Sequence, residues 1–98
     1  MEELLVSVKN YLDITYEDEE TDKKLSGIIA RGKAYLNSIA GEEQDYTAES
    51  QPRALLLDYC LYARNNVLDQ FEKNYGPELV ALRIGVQTDD YAKQKGYI

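Results

Sequence analysis

A long apolar stripe at helical spacing constrains the fold of this chain more than any other feature. Apolar side chains recur three and four residues apart over residues 25–39, and Gly41 follows directly after them. Such spacing gives one apolar face to a helix of several turns. Glycine adopts the left-handed conformation that ends many helices without steric cost, so we expect this helix to stop at Gly41.

Acidic and hydroxyl side chains mark the start of the same helix. Asp18 and Thr21 are both candidate caps, and six of the ten residues at positions 13–22 are acidic. Carboxylates are favourable there because the first turn of a helix carries partial positive charge. Gly27 and Gly32 lie inside the stripe, where each costs about 1 kcal/mol relative to alanine. We therefore expect another helix to approach closely at these glycines.

Three further helices are expected around this one. Residues 4–12 carry apolar side chains at three- and four-residue spacing. Pro52 suits the first turn of a long helix that extends to about residue 74. Gly76 and Pro77 then interrupt the chain before a short closing helix.

These elements predict an all-α fold, because no segment alternates with the period of a β-strand. We expect a compact bundle of about four helices, in which two long central helices are flanked by short N- and C-terminal ones. A helical domain is expected over residues 1–87, followed by a flexible C-terminal tail over residues 88–98.

Charge narrows the classes of function that are open to the chain. Its 18 acidic and 11 basic side chains give a net charge of −7, and the basic residues are not gathered in one stretch. Such a chain repels phosphate backbones, so a helix–turn–helix DNA-binding protein is a disfavoured alternative. No apolar segment approaches the ~18 residues that span a bilayer, so we expect no membrane partner.

The residue types of enzyme active sites are poorly represented. The chain has no histidine and one cysteine, Cys60, which excludes a Ser–His or Cys–His nucleophile. Residues 27–34 nearly match a phosphate-binding loop, but they lie in a helical stripe and end on Ala34 instead of a magnesium-binding hydroxyl. We therefore expect no catalytic residue, no cofactor and no metal site, and we expect the protein not to be an enzyme.

Tyrosine is the unusual element of the composition, with nine copies against one phenylalanine and no tryptophan. It supplies large contact area at protein interfaces at low entropic cost. Tyrosines on apolar stripes are expected in the core, whereas four others fall on a polar helix face, in the polar loop or in the tail. Together with tail neighbours these four form the candidate interface, for which simple surface placement is the alternative: Tyr46, Tyr62, Tyr91, Lys93, Lys95, Tyr97 and Ile98.

The order of the apolar positions is similar to that of a known family. An acidic cap follows the first motif, and a polar loop precedes the last two: Leu5-x-x-Val8-Lys9-x-x-Leu12-x-Ile14, Leu25-x-x-Ile28-Ile29, Tyr35-Leu36 and Gly41, Leu55-Leu56-Leu57-x-Tyr59, and Leu79-x-x-Leu82-Arg83. This order resembles the head–tail connector, or head-completion adaptor, family of long-tailed bacteriophages and prophages. The resemblance spans residues 4–83, and Tyr16 departs from it where many relatives carry tryptophan.

The resemblance implies a structural subunit that forms a ring of about a dozen copies beneath the portal protein. Such a ring extends the DNA channel, lets DNA pass without specific binding, and receives a tail-completion or stopper protein at the head–tail junction of the virion. The subunit would be made in the cytoplasm of the host bacterium. Glu42, Glu43 and Asp45 are candidates for the channel wall, where negative charge would repel DNA. The alternative is a small acidic adaptor or regulatory module that binds a single protein partner.

Overall fold

The computed structural model describes residues 2–84, which form five helices joined by short connections. They are α1 (Glu2–Tyr11), α2 (Glu19–Ala40), α3 (Gln51–Arg64), α4 (Leu68–Asn74) and α5 (residues 76–84). No strand occurs among the described residues, and the all-α prediction is confirmed. The predicted boundary after residue 87 and the tail beyond it lie outside this range.

The ends of α2 follow the signals in the sequence. Asp18 is the N-cap residue, and its Oδ2 accepts hydrogen bonds from the Thr21 N–H at 3.3 Å and the Thr21 hydroxyl at 2.7 Å. These bonds lower the pKa of the Asp18 carboxyl, which keeps it charged beside the positive end of the helix. Gly41 has a φ of 84° and donates its N–H to the Asn37 carbonyl at 2.9 Å, so the predicted left-handed stop is confirmed.

The core lies between α2 and α3, and α1 packs against both. Its fully buried members outside α4 come from all three helices: Val8, Leu25, Ile29, Leu36, Leu56 and Cys60. Burial raises the pKa of the Cys60 thiol to about 12. The single cysteine therefore packs as a small apolar side chain, as its place on the apolar ridge suggests.

At Gly32, α2 and α3 pack closely together. A Cβ atom built at Gly32 would lie 2.8 Å from both Leu56 Cδ1 and Tyr59 Cδ1, which is too short for any real Cβ contact. At Gly27 the same construction meets only Arg31 Nη1 within 4 Å, at 3.5 Å. The expectation of close helix packing is therefore confirmed at Gly32 and wrong at Gly27.

The prediction of one long third helix is wrong, because α3 ends at Arg64 and α4 begins at Leu68. Asn66 has a left-handed φ of 60°. Its N–H donates to the Ala63 carbonyl at 3.1 Å, and the next N–H donates to the Tyr62 carbonyl at 3.0 Å. This pair of bonds ends many helices and usually has glycine in the left-handed position, which asparagine also tolerates. The described residues therefore contain one helix more than expected.

The turn at Asn66 brings α4 back against α3 and gathers four tyrosine rings around Phe71, which is 1% exposed. The Phe71 ring centroid lies 4.9 Å from that of Tyr75, which stacks on it, and 5.6 Å from the edge-on rings of Tyr59 and Tyr62. Tyr35 completes the group at 6.2 Å. Offset and edge-to-face arrangements are the favourable ones for aromatic rings. We call these five residues the Phe71 cluster, and they extend the core from α2 to the start of α5.

Candidate interaction surfaces

Hydrogen bonds hold the polar loop of residues 42–50, between α2 and α3, against the body of the protein. The Asn37 Oδ1 atom accepts a hydrogen bond from the Gln44 N–H at 3.0 Å and another from the Tyr46 hydroxyl at 2.7 Å. From the other side, the Arg53 guanidinium donates to the Tyr46 carbonyl at 2.9 Å. The loop therefore presents its charged side chains from a backbone that α2 and α3 both fix.

The predicted channel-wall acids are all exposed on this loop, at the C-terminal end of α2. Glu49, whose side chain is 93% exposed, adds a fourth carboxylate. Hydrogen bonds from Thr47 lower the pKa of the Asp45 carboxyl, so Asp45 stays charged. We call this surface the acidic loop and define it by its four carboxylates: Glu42, Glu43, Asp45 and Glu49.

Tyr46 lies beneath the acidic loop instead of on the surface. Only 2% of the residue is exposed, because its ring closes the core at the end of α2. Its assignment to an exposed interface is therefore corrected. Burial, together with the nearby charge of Glu43, raises the pKa of Tyr46 to about 12.

Tyr62, the other candidate interface tyrosine within the described residues, is half-buried in the Phe71 cluster. Its ring packs edge-on against Phe71 and Tyr75, with both centroid distances at 5.6 Å, and its hydroxyl accepts a hydrogen bond from Asn74 Nδ2 at 2.9 Å. Only one edge of Tyr62 can therefore reach a partner. The remaining candidates of the predicted interface lie outside the described residues: Tyr91, Lys93, Lys95, Tyr97 and Ile98.

A groove that the sequence did not indicate lies between the N-terminal half of α2 and the turn that joins α3 to α4. Its volume is about 750 Å³. Four basic side chains, five apolar or glycine residues and two asparagines line it, and no acidic side chain of the described residues does so. We call this surface the basic groove and define it by four cations and four uncharged residues of its lining: Lys23, Lys24, Arg31 and Arg64, with Gly27, Ile28, Ala63 and Leu68.

The basic groove arises because α2 and α3 run in opposite directions. Residues near Gly32 meet Leu56 and Tyr59, so the start of α2 lies beside the end of α3 and Arg64 comes close to Arg31. Of the four cations, Lys23 lies 4.0 Å from a glutamate of its own helix. The other three form no ion pair with a carboxylate within residues 3–84. The fold thus concentrates positive charge that is dispersed in the sequence.

A second, smaller groove of about 260 Å³ lies between α2 and α5. Val80 and Ile39 line it together with Arg83, and Val80 is 57% exposed. Ile84, one turn after Val80, is exposed as well. The groove is shallower and less charged than the basic groove, so it offers mainly apolar contact area.

The described residues contain no candidate membrane span and no candidate metal site. None of their helices combines the length and the apolar character needed to cross a membrane, and none of their acidic and cysteine side chains come together in a group that could hold a metal ion. No protein-family model, curated protein or solved structure matches this chain. The order of the helices and the two charged surfaces are therefore the observations that bear on function.

Alkaline pH is expected to destabilise the protein through the tyrosines whose pKa values are raised in the folded state. A tyrosine with a pKa near 10 unfolded and about 12 folded binds more protons in the folded state between these values. Its contribution to stability is therefore complete below about pH 10 and is lost as the pH rises towards about 12. The pKa values of the exposed Tyr11, which donates its hydroxyl proton to Asp58, and of the half-buried Tyr75 are also raised to about 12.

Tyr46→Phe tests this dependence because phenylalanine keeps the ring and has no proton to lose. At about pH 8 the variant should be less stable by about 1 kcal/mol, since the hydrogen bond to Asn37 is lost. Between about pH 10 and about pH 12, its free energy of unfolding should fall less steeply than that of the wild type. Urea unfolding followed by circular dichroism at a series of pH values measures both slopes, and identical slopes would contradict the assignment.

Proposed function

We propose that this chain is a structural subunit of a phage or prophage head–tail connector, which forms a ring under the portal protein, extends the DNA channel and joins the tail. The observation that carries the proposal is that the apolar residues behind the family resemblance lie in the core or pack against it. Ten of the positions that define it are buried: Val8, Ile14, Leu25, Ile29, Leu36, Leu55, Leu56, Tyr59, Leu79 and Leu82. A resemblance in buried positions favours a similar packing of helices, on which the surfaces then determine function.

Two surfaces of opposite charge support an assembly role. The basic groove and the acidic loop are both open to solvent, where a neighbouring subunit can reach them. A chain of 98 residues builds only a small core, and association with neighbours is a common source of additional stability for domains of this size.

The acidic loop also suits the wall of a DNA channel. Glu42, Glu43 and Asp45 project from a backbone that is fixed to α2 and α3, so their charge stays in place as a polymer passes. A negative wall repels phosphate and lowers the friction that binding would cause. In the proposed connector, therefore, DNA is a transient and non-specific partner.

The first test of the proposal is the mass of the purified protein by light scattering over a concentration series, together with electron microscopy of the concentrated sample. We expect rings with a central hole, formed either by the protein alone or on the portal protein encoded by the same phage genome. Rings on the portal would also place the subunit in the virion. A protein that stays monomeric alone and does not co-purify with that portal would contradict the connector role.

The basic groove favours one alternative, an adaptor that binds a single protein partner. A groove lined by basic and apolar residues suits an acidic segment of another protein. This alternative predicts a 1:1 complex and no ring, so the same mass measurements, made with the partner present, distinguish the two functions.

A further inference from the structure

We infer that the basic groove is the docking site for the acidic loop of a second copy of this chain, so that successive copies join head to tail. The inference deepens the proposed function, on which it rests, because it gives the proposed ring a subunit interface. It assigns a partner to each of the two charged surfaces. A docked loop faces the neighbouring subunit and takes Glu42, Glu43 and Asp45 out of the channel wall, so the docking role and the channel-wall role of the loop are alternatives.

Charge complementarity identifies the occupant. The basic groove carries four cations, of which Lys24, Arg31 and Arg64 have no carboxylate partner within residues 3–84. The acidic loop carries four exposed carboxylates, of which Glu49 already pairs with Arg53 at 3.5 Å, whereas Glu42, Glu43 and Asp45 form no ion pair within residues 3–84. In a chain with a net charge of −7, a concentrated positive surface is unusual. Most of the remaining surface of a second copy would repel the acidic loop. Opposed charges on the two surfaces therefore select one relative orientation of the copies.

The position of the two surfaces excludes pairing within one chain. Gly27 lines the groove on α2, and the acidic loop begins at Glu42, directly after the end of the same helix. Fifteen residues separate them, which corresponds to about 20 Å along a helix. Contact between unlike surfaces at opposite ends of a rigid helix is heterologous, and a heterologous contact forms a closed ring when the rotation per subunit divides a full turn.

The shapes of the two surfaces are also compatible. The groove lining includes the backbone of Gly27, beside Arg31 Nη1, and the side chain of Leu68, which is 37% exposed. Between its acids the loop exposes the small side chains of Thr47 and Ala48 and part of Gln44. Because Asn37 and Arg53 already fix the loop backbone, docking requires little further ordering.

Reciprocal charge reversal tests the pairing. Lys24→Glu with Arg31→Glu reverses the groove, and Glu42→Lys with Glu43→Lys reverses the loop. Each variant then opposes like charges in its own self-association, so its association constant should fall at least about tenfold by sedimentation equilibrium. A mixture of the two variants has complementary charges at every contact and should recover association. The wild-type contact should also weaken with added salt.

Lys73→Glu with Arg83→Glu is the matched control, since it changes the net charge equally at exposed positions outside the basic groove. It should associate much like the wild type. Equal loss in the control and the groove variant, or no recovery in the mixture, would overturn the inference. No concentration-dependent change in the wild type up to about millimolar protein would do the same.

Three other outcomes separate this inference from the connector role and from nucleic-acid binding. If rings still form when the charges of the groove are reversed, the groove–loop contact is wrong and the connector role stands. If the mixture recovers association but no ring forms on the portal protein, the contact stands and the connector role is wrong. If short duplex DNA binds the wild type but not the groove variant, while the copies fail to associate, the groove is a nucleic-acid site and the inference is wrong.

Discussion

Replacing Phe71 by alanine is expected to lower the free energy of unfolding by about 3–5 kcal/mol. Phe71 is 1% exposed, and tyrosine rings from α2, α3 and the α4–α5 connection surround it. Removing its ring leaves a cavity that four large, mutually packed side chains cannot fill without losing their own contacts. Domains of this kind have a free energy of unfolding of only about 5–15 kcal/mol, so the expected loss is a large share of it.

Urea unfolding followed by far-ultraviolet circular dichroism measures this loss. The near-ultraviolet signal of the tyrosines should weaken as well, because the Phe71 cluster fixes their orientations. Val80→Ala is the control, since Val80 is 57% exposed and its truncation should change stability by no more than about 0.5 kcal/mol. A loss below about 1 kcal/mol for Phe71→Ala would mean that α4 contributes little to the core.

Gly32→Leu is expected to destabilise the protein by about 3 kcal/mol or more, at the upper end of the usual cost of overpacking. Even a Cβ atom at this position meets Leu56 and Tyr59 at 2.8 Å. Both neighbours are buried between the two central helices, so neither can move aside without displacing further core residues. For Gly32→Ala the clash is smaller and is offset by about 1 kcal/mol of helix propensity, so we expect a net loss of about 1 kcal/mol.

Gly27→Ala is the matched control, because it lies on the same helix and makes the same chemical change. Its new Cβ meets only Arg31 Nη1, at an ordinary contact distance of 3.5 Å. The variant should therefore gain about 1 kcal/mol of stability from the higher helix propensity of alanine. Melting temperatures of the three variants measure the difference, and a gain for Gly32→Ala would contradict the close helix contact.

The sequence alone determined the features whose signals are local. The apolar stripe indicated most of α2, Gly41 indicated its end, and Asp18 was one of two candidate caps for its start, because caps and periodicity act within a few residues. The all-α class followed for the same reason. The closing helix after Gly76 was also predictable, since glycine and proline interrupt a chain wherever it is packed.

The break between α3 and α4 carried a weaker local signal. The pair Asn65 and Asn66 was visible in the sequence, yet the apolar positions on both sides continue with helical spacing. Asparagine adopts the left-handed conformation less readily than glycine, so its presence alone does not end a helix. Burial of Phe71 against α3 favours the turn, and that gain in packing depends on contacts with residues far away in the sequence.

Only the tertiary structure decided which polar and charged residues act together. The sequence indicates that Tyr46 is a loop residue, but its ring is buried at the end of the core, where its hydroxyl donates a hydrogen bond to Asn37. Arg31 and Arg64 are 33 residues apart and share one groove because α2 and α3 pack in opposite directions. Charge and burial at a surface depend on how helices are placed in space, which periodicity along the chain does not encode. The basic groove therefore emerged from the fold, whereas the helices that build it were already apparent in the sequence.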